Sequence, residues 1–193
     1  MSKTKTIDLT SGPILKTLAE LALPIMASSL LGTAYNITDM AWIGMLGSKA
    51  VAGVGVGGMY VWLSQGLVAL PRMGGQVNVA QACGRGDYEQ ARGYAASALR
   101  LTFLLGILFA AVCIVFIHPL LGFFNLGDAE TYTAAKLYTL ITCGLILFSF
   151  LNLTLTGLST AQGDSKTPLM ANLLGLVGNM ILDPILILGF GPF

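Results

Sequence analysis

Charge is what this sequence has least of. Only 10% of its 193 residues are Asp, Glu, Lys or Arg, where a water-soluble domain carries roughly 25%. A chain so poor in charge cannot clothe a water-facing surface, and immersion in a bilayer removes the need. Histidine occurs once, as His118, and cysteine at Cys83, Cys113 and Cys143, with no C-x-x-C pair and no Cys/His cluster. A structural zinc site and a disulfide framework are therefore not expected. No G-X-Y period accompanies the 24 glycines, which excludes collagen and leaves the close helix packing that small residues allow in membranes. A secretory signal peptide is also not expected, because Met1 to Ser11 is polar and the apolar run after it is too long and has no small-x-small cleavage site. Targeting is expected through the first span itself.

What the sequence does have is long apolar runs. Mean hydropathy is +0.79 and apolar residues make up 55% of the chain. About five spans are expected, at roughly 20 apolar residues per crossing. They run from Thr17 to Gly44, Val51 to Ala82, Arg92 to Leu121, Tyr132 to Ala161 and Pro168 to Phe190. Backbone polar groups in lipid must be satisfied within the segment, and the runs have helical length, so the expected fold is an all-α polytopic membrane helix bundle. Residues 1–16 are expected to form a cytoplasmic segment and 17–193 the transmembrane domain.

The connections carry stop and start signals. Gly84-Arg85-Gly86-Asp87 ends the second span, and Asp87 with Gln90 fits an N-cap and N3 pair for the third. Gly127-Asp128 fits a cap for the fourth. Gly163-Asp164-Ser165-Lys166-Thr167-Pro168 stops the fourth, with Thr167-Pro168 as N-cap and N1 of the fifth. Lys3, Lys5, Lys16, Arg85, Arg92 and Lys166 flank one side of the membrane, against Lys49 and Lys136 on the other. The positive-inside rule makes the first side cytoplasmic, with the N-terminus inside. Trp42, Phe123, Phe124, Tyr132 and Phe190 then gather near the outer boundary as an aromatic belt. Snorkelling accounts for Arg72 and Arg100.

Two carboxylates stand where carboxylates are expensive. Asp39 lies late in the first span and Asp183 late in the fifth. Intramembrane acids usually face a cavity and mark an ion or proton path. Gly32, Tyr35, Asn36 and Asp39 share one helix face at i, i+3, i+4 and i+7, and Asn179 and Asp183 share another at i, i+4. Pro184 frees a backbone carbonyl near Met180. Such oxygens suit a hard monovalent cation such as Na+, or the carboxylates hold a proton, since desolvation penalises their charged form. Glu20 pairs most simply with Lys16 at i, i+4. Asn152, Thr154 and Thr156 are polar within the fourth span and serve either helix–helix hydrogen bonding or cavity lining. His118-Pro119 reads as interfacial. Gly53-Val54-Gly55-Val56-Gly57-Gly58 matches G-x-G-x-x-G but follows no strand, so Gly53 and Gly57 read as G-x-x-x-G helix packing.

Several segments together resemble the MATE (multidrug and toxic compound extrusion) family. Leu21-Ala22-Leu23-Pro24 followed by Ile37-Thr38-Asp39 and Gly44-Met45-Leu46-Gly47 is similar to its first helix. Ala82-Cys83-Gly84-Arg85-Gly86-Asp87 fits the end of its second helix, and Gly163 to Pro168 resembles the start of its fifth. Asn179-x-x-x-Asp183-Pro184 resembles the ion-site motif of the branch with acids in the first and fifth helices. The resemblance covers nearly the whole chain. It implies an antiporter that exchanges inward H+ or Na+ for outward organic, often cationic, drugs and toxins. It also implies a coupling site at Asp39, Asn179 and Asp183, with Tyr35, Asn36 and Asn152 beside it; those three, with Thr156, are expected to line the substrate cavity. A complete member has two six-helix lobes. Against that pattern the chain is expected to lack the sixth helix and the second lobe, supplied by another chain or lost by truncation. No cofactor, resident metal or nucleic acid is expected, only a bilayer, a coupling ion and small organic substrates, in a plasma-membrane protein.

Three rivals remain. A lipid-linked saccharide flippase of the same superfamily would place several basic residues in the central cavity, where this chain has acids. An intramembrane aspartyl protease would need Tyr-Asp and Gly-x-Gly-Asp, but Asp39 follows Thr38 and Gly189-Phe190-Gly191 is followed by Pro192. A truncated, non-transporting fragment is the third.

Overall fold

A computed structural model describes residues 14–187, apart from the side chains of Lys16, Thr17, Glu20, Leu21, Ser28, Pro184, Leu186 and Ile187. The expected Lys16–Glu20 pair, the carbonyl reading at Pro184, Lys3, Lys5 and the belt position of Phe190 therefore lie outside the described residues. Seven helices follow one another among the described residues: α1 (Ile14–Met45), α2 (Ser48–Gly84), α3 (Tyr88–Val115), α4 (Ile117–Gly122), α5 (Ala129–Gly144), α6 (Ile146–Ala161) and α7 (Lys166–Ile187). The bundle is all-α, as expected. Among the described residues, α2 and α3 are long and apolar enough to cross a membrane, and the bent pair α5–α6 meets the same standard when taken as one span. α1, with 32 residues, and α7, with 22, have the length to do the same.

Two of the expected continuous spans are broken. The third stops at Phe116 and resumes as α4. Pro119 explains the break, because it has no N–H to offer the carbonyl four residues back. The fourth bends by 45° at Leu145, between α5 and α6. The fifth begins at Lys166 rather than at Thr167-Pro168, because the Asp164 side chain accepts from the Lys166 and Thr167 amides at 3.1 and 3.0 Å. The other caps are as expected. Asp87 accepts from Gln90 N at 2.9 Å, and Asp128 from Thr131 N at 3.2 Å. Gly86 and Gly163 adopt φ of 75° and 82°, the left-handed step that closes the helices before them.

α2 is the central pillar, packed against α3, α5 and α6. Small residues set that closeness. A Cβ on Gly53 would stand 3.1 Å from the Ala134 Cβ, and one on Gly57 would collide with the Tyr138 ring. This is the expected packing role of the pair. A buried group of Val79, Ala82, Ala91, Ala98, Leu158 and Ala161 ties α2, α3 and α6 together near Arg85. Thr102 of α3 and Thr154 of α6, both fully buried, join their hydroxyls at 2.9 Å. Thr154 thus serves helix–helix bonding. At the opposite end, Lys49 pairs with Glu130 at 2.6 Å and Asp128 at 3.3 Å. The Phe123, Phe124, Tyr132 and His118 rings gather at that end, with His118 Nδ1 2.9 Å from Tyr132 Oη. Large apolar side chains such as Trp62, Leu104 and Phe148 stay exposed around the circumference, as lipid contact requires.

Candidate functional site

α1 and α7 pair mainly with each other, and they run parallel. Ile25 and Ser29 meet Pro168 and Asn172 around one cavity, and further along Asn179 Nδ2 donates to Tyr35 Oη at 2.9 Å. Numbers thus rise together on both helices. Asp39 lies four residues beyond Tyr35, and Asp183 four beyond Asn179. One helical turn, about 6 Å, therefore lifts both aspartates above the hydrogen bond to a common level. Both carboxylates are half-buried and lie close enough to feel each other's charge. The Asp183 Oδ2 is buried and finds no hydrogen-bond partner among the described residues. Two carboxylates at one level, grouped with an amide, supply the oxygen atoms that a proton or a monovalent cation would need.

Asp39, Asn179, Asp183 and Tyr35 are thus brought together. Asn36, next to Tyr35 in α1, is exposed, as is Asn152 on α6. Thr156 lies elsewhere. It lines a cavity of about 340 Å³ between α1, α2, α6 and α7. That cavity is about 15 Å from Asp39, judged by the ten-residue rise from Ser29 along α1.

Two residues near these sites make contacts that the sequence did not foretell. Tyr138 of α5, packed over Gly57, lies near Asp39 and Tyr35. Its signal was a phenol in mid-span. Arg72, expected in the sequence to snorkel to the interface, also meets α6. Its stem crosses Gly157 of α6, where a Cβ would stand 2.9 Å from the Arg72 Cγ, and it lines the cavity beside Thr156.

The MatE family profile matches residues 24–185. The chain is 28% identical over 185 residues to the "FAD transporter" of Shewanella oneidensis, covering 96% of this chain and 41% of that protein. It is 29% identical over 177 residues to the "Probable multidrug resistance protein NorM" of Thermotoga maritima, covering 91% of this chain and 38% of that protein. Among solved structures, a multidrug resistance MATE family transporter of the MOP superfamily in an outward-facing conformation superposes with a TM-score of 0.84. It is 27% identical, and the match covers 100% of this chain and 42% of that one. The chain spans about two fifths of the length of the curated relatives it matches.

Proposed function

Because the chain belongs to the MatE family, a family of transporters and not of enzymes, we propose that it forms the ion-coupling part of an antiporter that exports organic, often cationic, drugs and toxins. The observation that carries this reading is the Tyr35–Asn179 hydrogen bond, which marks the α1–α7 register and with it the common level of Asp39 and Asp183. In the proposal, H+ or Na+ enters from outside and is held by Asp39, Asn179 and Asp183. Its charge neutralises the pair, and a cationic substrate that depended on the negative charge is released. Tyr35, Asn36 and Asn152 flank that event, and Thr156 contributes to the cavity below. No cofactor takes part. The protein sits in the plasma membrane with residue 1 on the cytoplasmic side, as the Lys and Arg distribution supports.

The flippase reading draws on one feature, Arg72 in the cavity. It wants several basic residues, and no second one lines that cavity among the described residues.

Dye efflux from cells expressing the protein at matched levels, after a pH or sodium step, tests the proposal. Asp39→Asn abolishes efflux while leaving membrane insertion intact, Asp183→Asn does nearly the same, and Asn179→Ala weakens ion dependence less. Wild-type efflux from the Asp39→Asn, Asp183→Asn double variant overturns the assignment.

A further inference from the structure

The cavity between α1, α2, α6 and α7 contains a single charged side chain among the described residues, Arg72, and no acid. Its Nε is buried and finds no hydrogen-bond partner among the described residues. A second orphan faces the same space. Ser165 is 3% exposed, and its Oγ also has no partner. A buried guanidinium Nε and a buried hydroxyl, each without a partner among the described residues, carry a desolvation cost that a ligand or water removes. The chemistry of the lining selects the ligand. Ser29 and Thr160 already donate their hydroxyl protons to the carbonyls of Ile25 and Thr156. The available donors are therefore Arg72, Ser165, the Thr156 hydroxyl and the amides of Gln76 and Asn172. The start of α7 adds little, because Asp164 occupies the Lys166 and Thr167 amides. A cation would meet the Arg72 charge, whereas an oxyanion would meet a two-pronged donor.

We infer that this cavity binds an oxyanion, the phosphate or carboxylate group of an organic solute or of a lipid headgroup, with Arg72 as the fork and Ser165 as the hydroxyl donor. About 340 Å³ lies within the range of small-molecule sites. The site is separate from the aspartate level and uses none of its residues. It gives the α1–α7 side of the bundle two poles, acidic toward Lys49 and basic toward Lys166.

The test uses the chain in phosphatidylcholine nanodiscs. In one arm, inorganic phosphate and glycerol 3-phosphate are titrated and followed by phosphorus NMR line broadening. In the other, nanodiscs contain phosphatidylglycerol, and the lipid retained by the protein is counted by native mass spectrometry. Saturable binding in the first arm assigns a soluble anion, and retention in the second assigns a headgroup. In whichever arm responds, Arg72→Gln weakens binding about tenfold or more and Ser165→Ala about threefold. Arg72→Lys retains part of it, and Arg100→Gln, on the outer face of α3, changes nothing. If Arg72→Gln does not fold, the Ser165→Ala loss and the partial Arg72→Lys binding still decide. Wild-type binding by Arg72→Gln or, where that variant does not fold, by both Ser165→Ala and Arg72→Lys overturns the inference. So does the absence of saturable binding in both arms.

Discussion

Asn179 donates a hydrogen bond to the phenolic oxygen of Tyr35 at 2.9 Å, and each partner stands one turn before an aspartate of its own helix. The bond marks the register of two parallel helices at the place where register matters, because a slip of one turn would part Asp39 from Asp183 by about 6 Å in depth. Tyr35→Phe and Asn179→Ala should each lower stability by about 1 kcal/mol. Their double variant should lose no more than about the larger single effect, since both remove the same bond. Unfolding of the purified chain in mixed micelles measures this. Fully additive losses would show that the two side chains act separately.

The α2–α5 seam makes a paired prediction. Gly57→Ala drives a methyl into the Tyr138 ring and to 2.8 Å from Thr139 Oγ1, whereas Gly55→Ala, two residues earlier, meets nothing within 4 Å. The first should cost about 1–3 kcal/mol, as overpacked sites do. The second should be neutral or slightly stabilising, because it removes a helical glycine. Melting of the two variants side by side checks the seam, and equal behaviour would contradict it.

Asp164 predicts a pH dependence. Burial works to raise its carboxyl, but hydrogen bonds from the Thr167 hydroxyl, the Thr167 amide and the Lys166 amide outweigh it and hold the group below the usual carboxylate range. A depressed folded value means that the stabilisation is fully present above the ordinary value of about 3.9 and fades as pH falls through the folded value. Asp164→Ala should therefore cost about 1 kcal/mol at about pH 7 and progressively less toward about pH 3. Melting curves of both proteins across that window test it. A gap between them that stays constant with pH would mean that the charge is irrelevant to the cap.

Much of this fold was legible because its causes are local. The caps at Asp87 and Asp128 depend on a side chain and an amide three residues on, and the five apolar segments follow from run length. The Gly53/Gly57 seam was readable as a spacing. The break at Phe116 was written in Pro119, but proline is also present within α1 and α2, at Pro24 and Pro71, without ending either. The proline alone could not decide. Asp39 and Asp183 stood out because charge is costly in lipid. Which side chains meet them depends on long-range packing, so Tyr138 was invisible as a neighbour. The contact of Arg72 with α6 was invisible for the same reason. Its path over Gly157 depends on α6 coming close enough to leave no room for a side chain there.

Topology gives a further prediction. The excess of Lys and Arg at the Lys166 end should place that connection in the cytoplasm and the Lys49–Asp128 end outside. Single cysteines at positions 128 and 166, in a background with the three native cysteines replaced, are offered to a membrane-impermeant maleimide on intact cells. Position 128 should be labelled, and position 166 only after permeabilisation. Labelling of position 166 in intact cells would invert the arrangement.

The central claim is that Asp39 and Asp183 form one site that trades protonation or a bound cation between them. Infrared difference spectroscopy of the chain in nanodiscs reads those carboxyls directly, without a substrate or an opposing lobe. A pH or sodium step should change the protonated-carboxyl band in the wild-type protein. That change should be reduced in either single Asp→Asn variant, absent from the Asp39→Asn, Asp183→Asn double variant, and intact in Asp128→Asn. A double variant whose difference spectrum matches wild type would contradict the account.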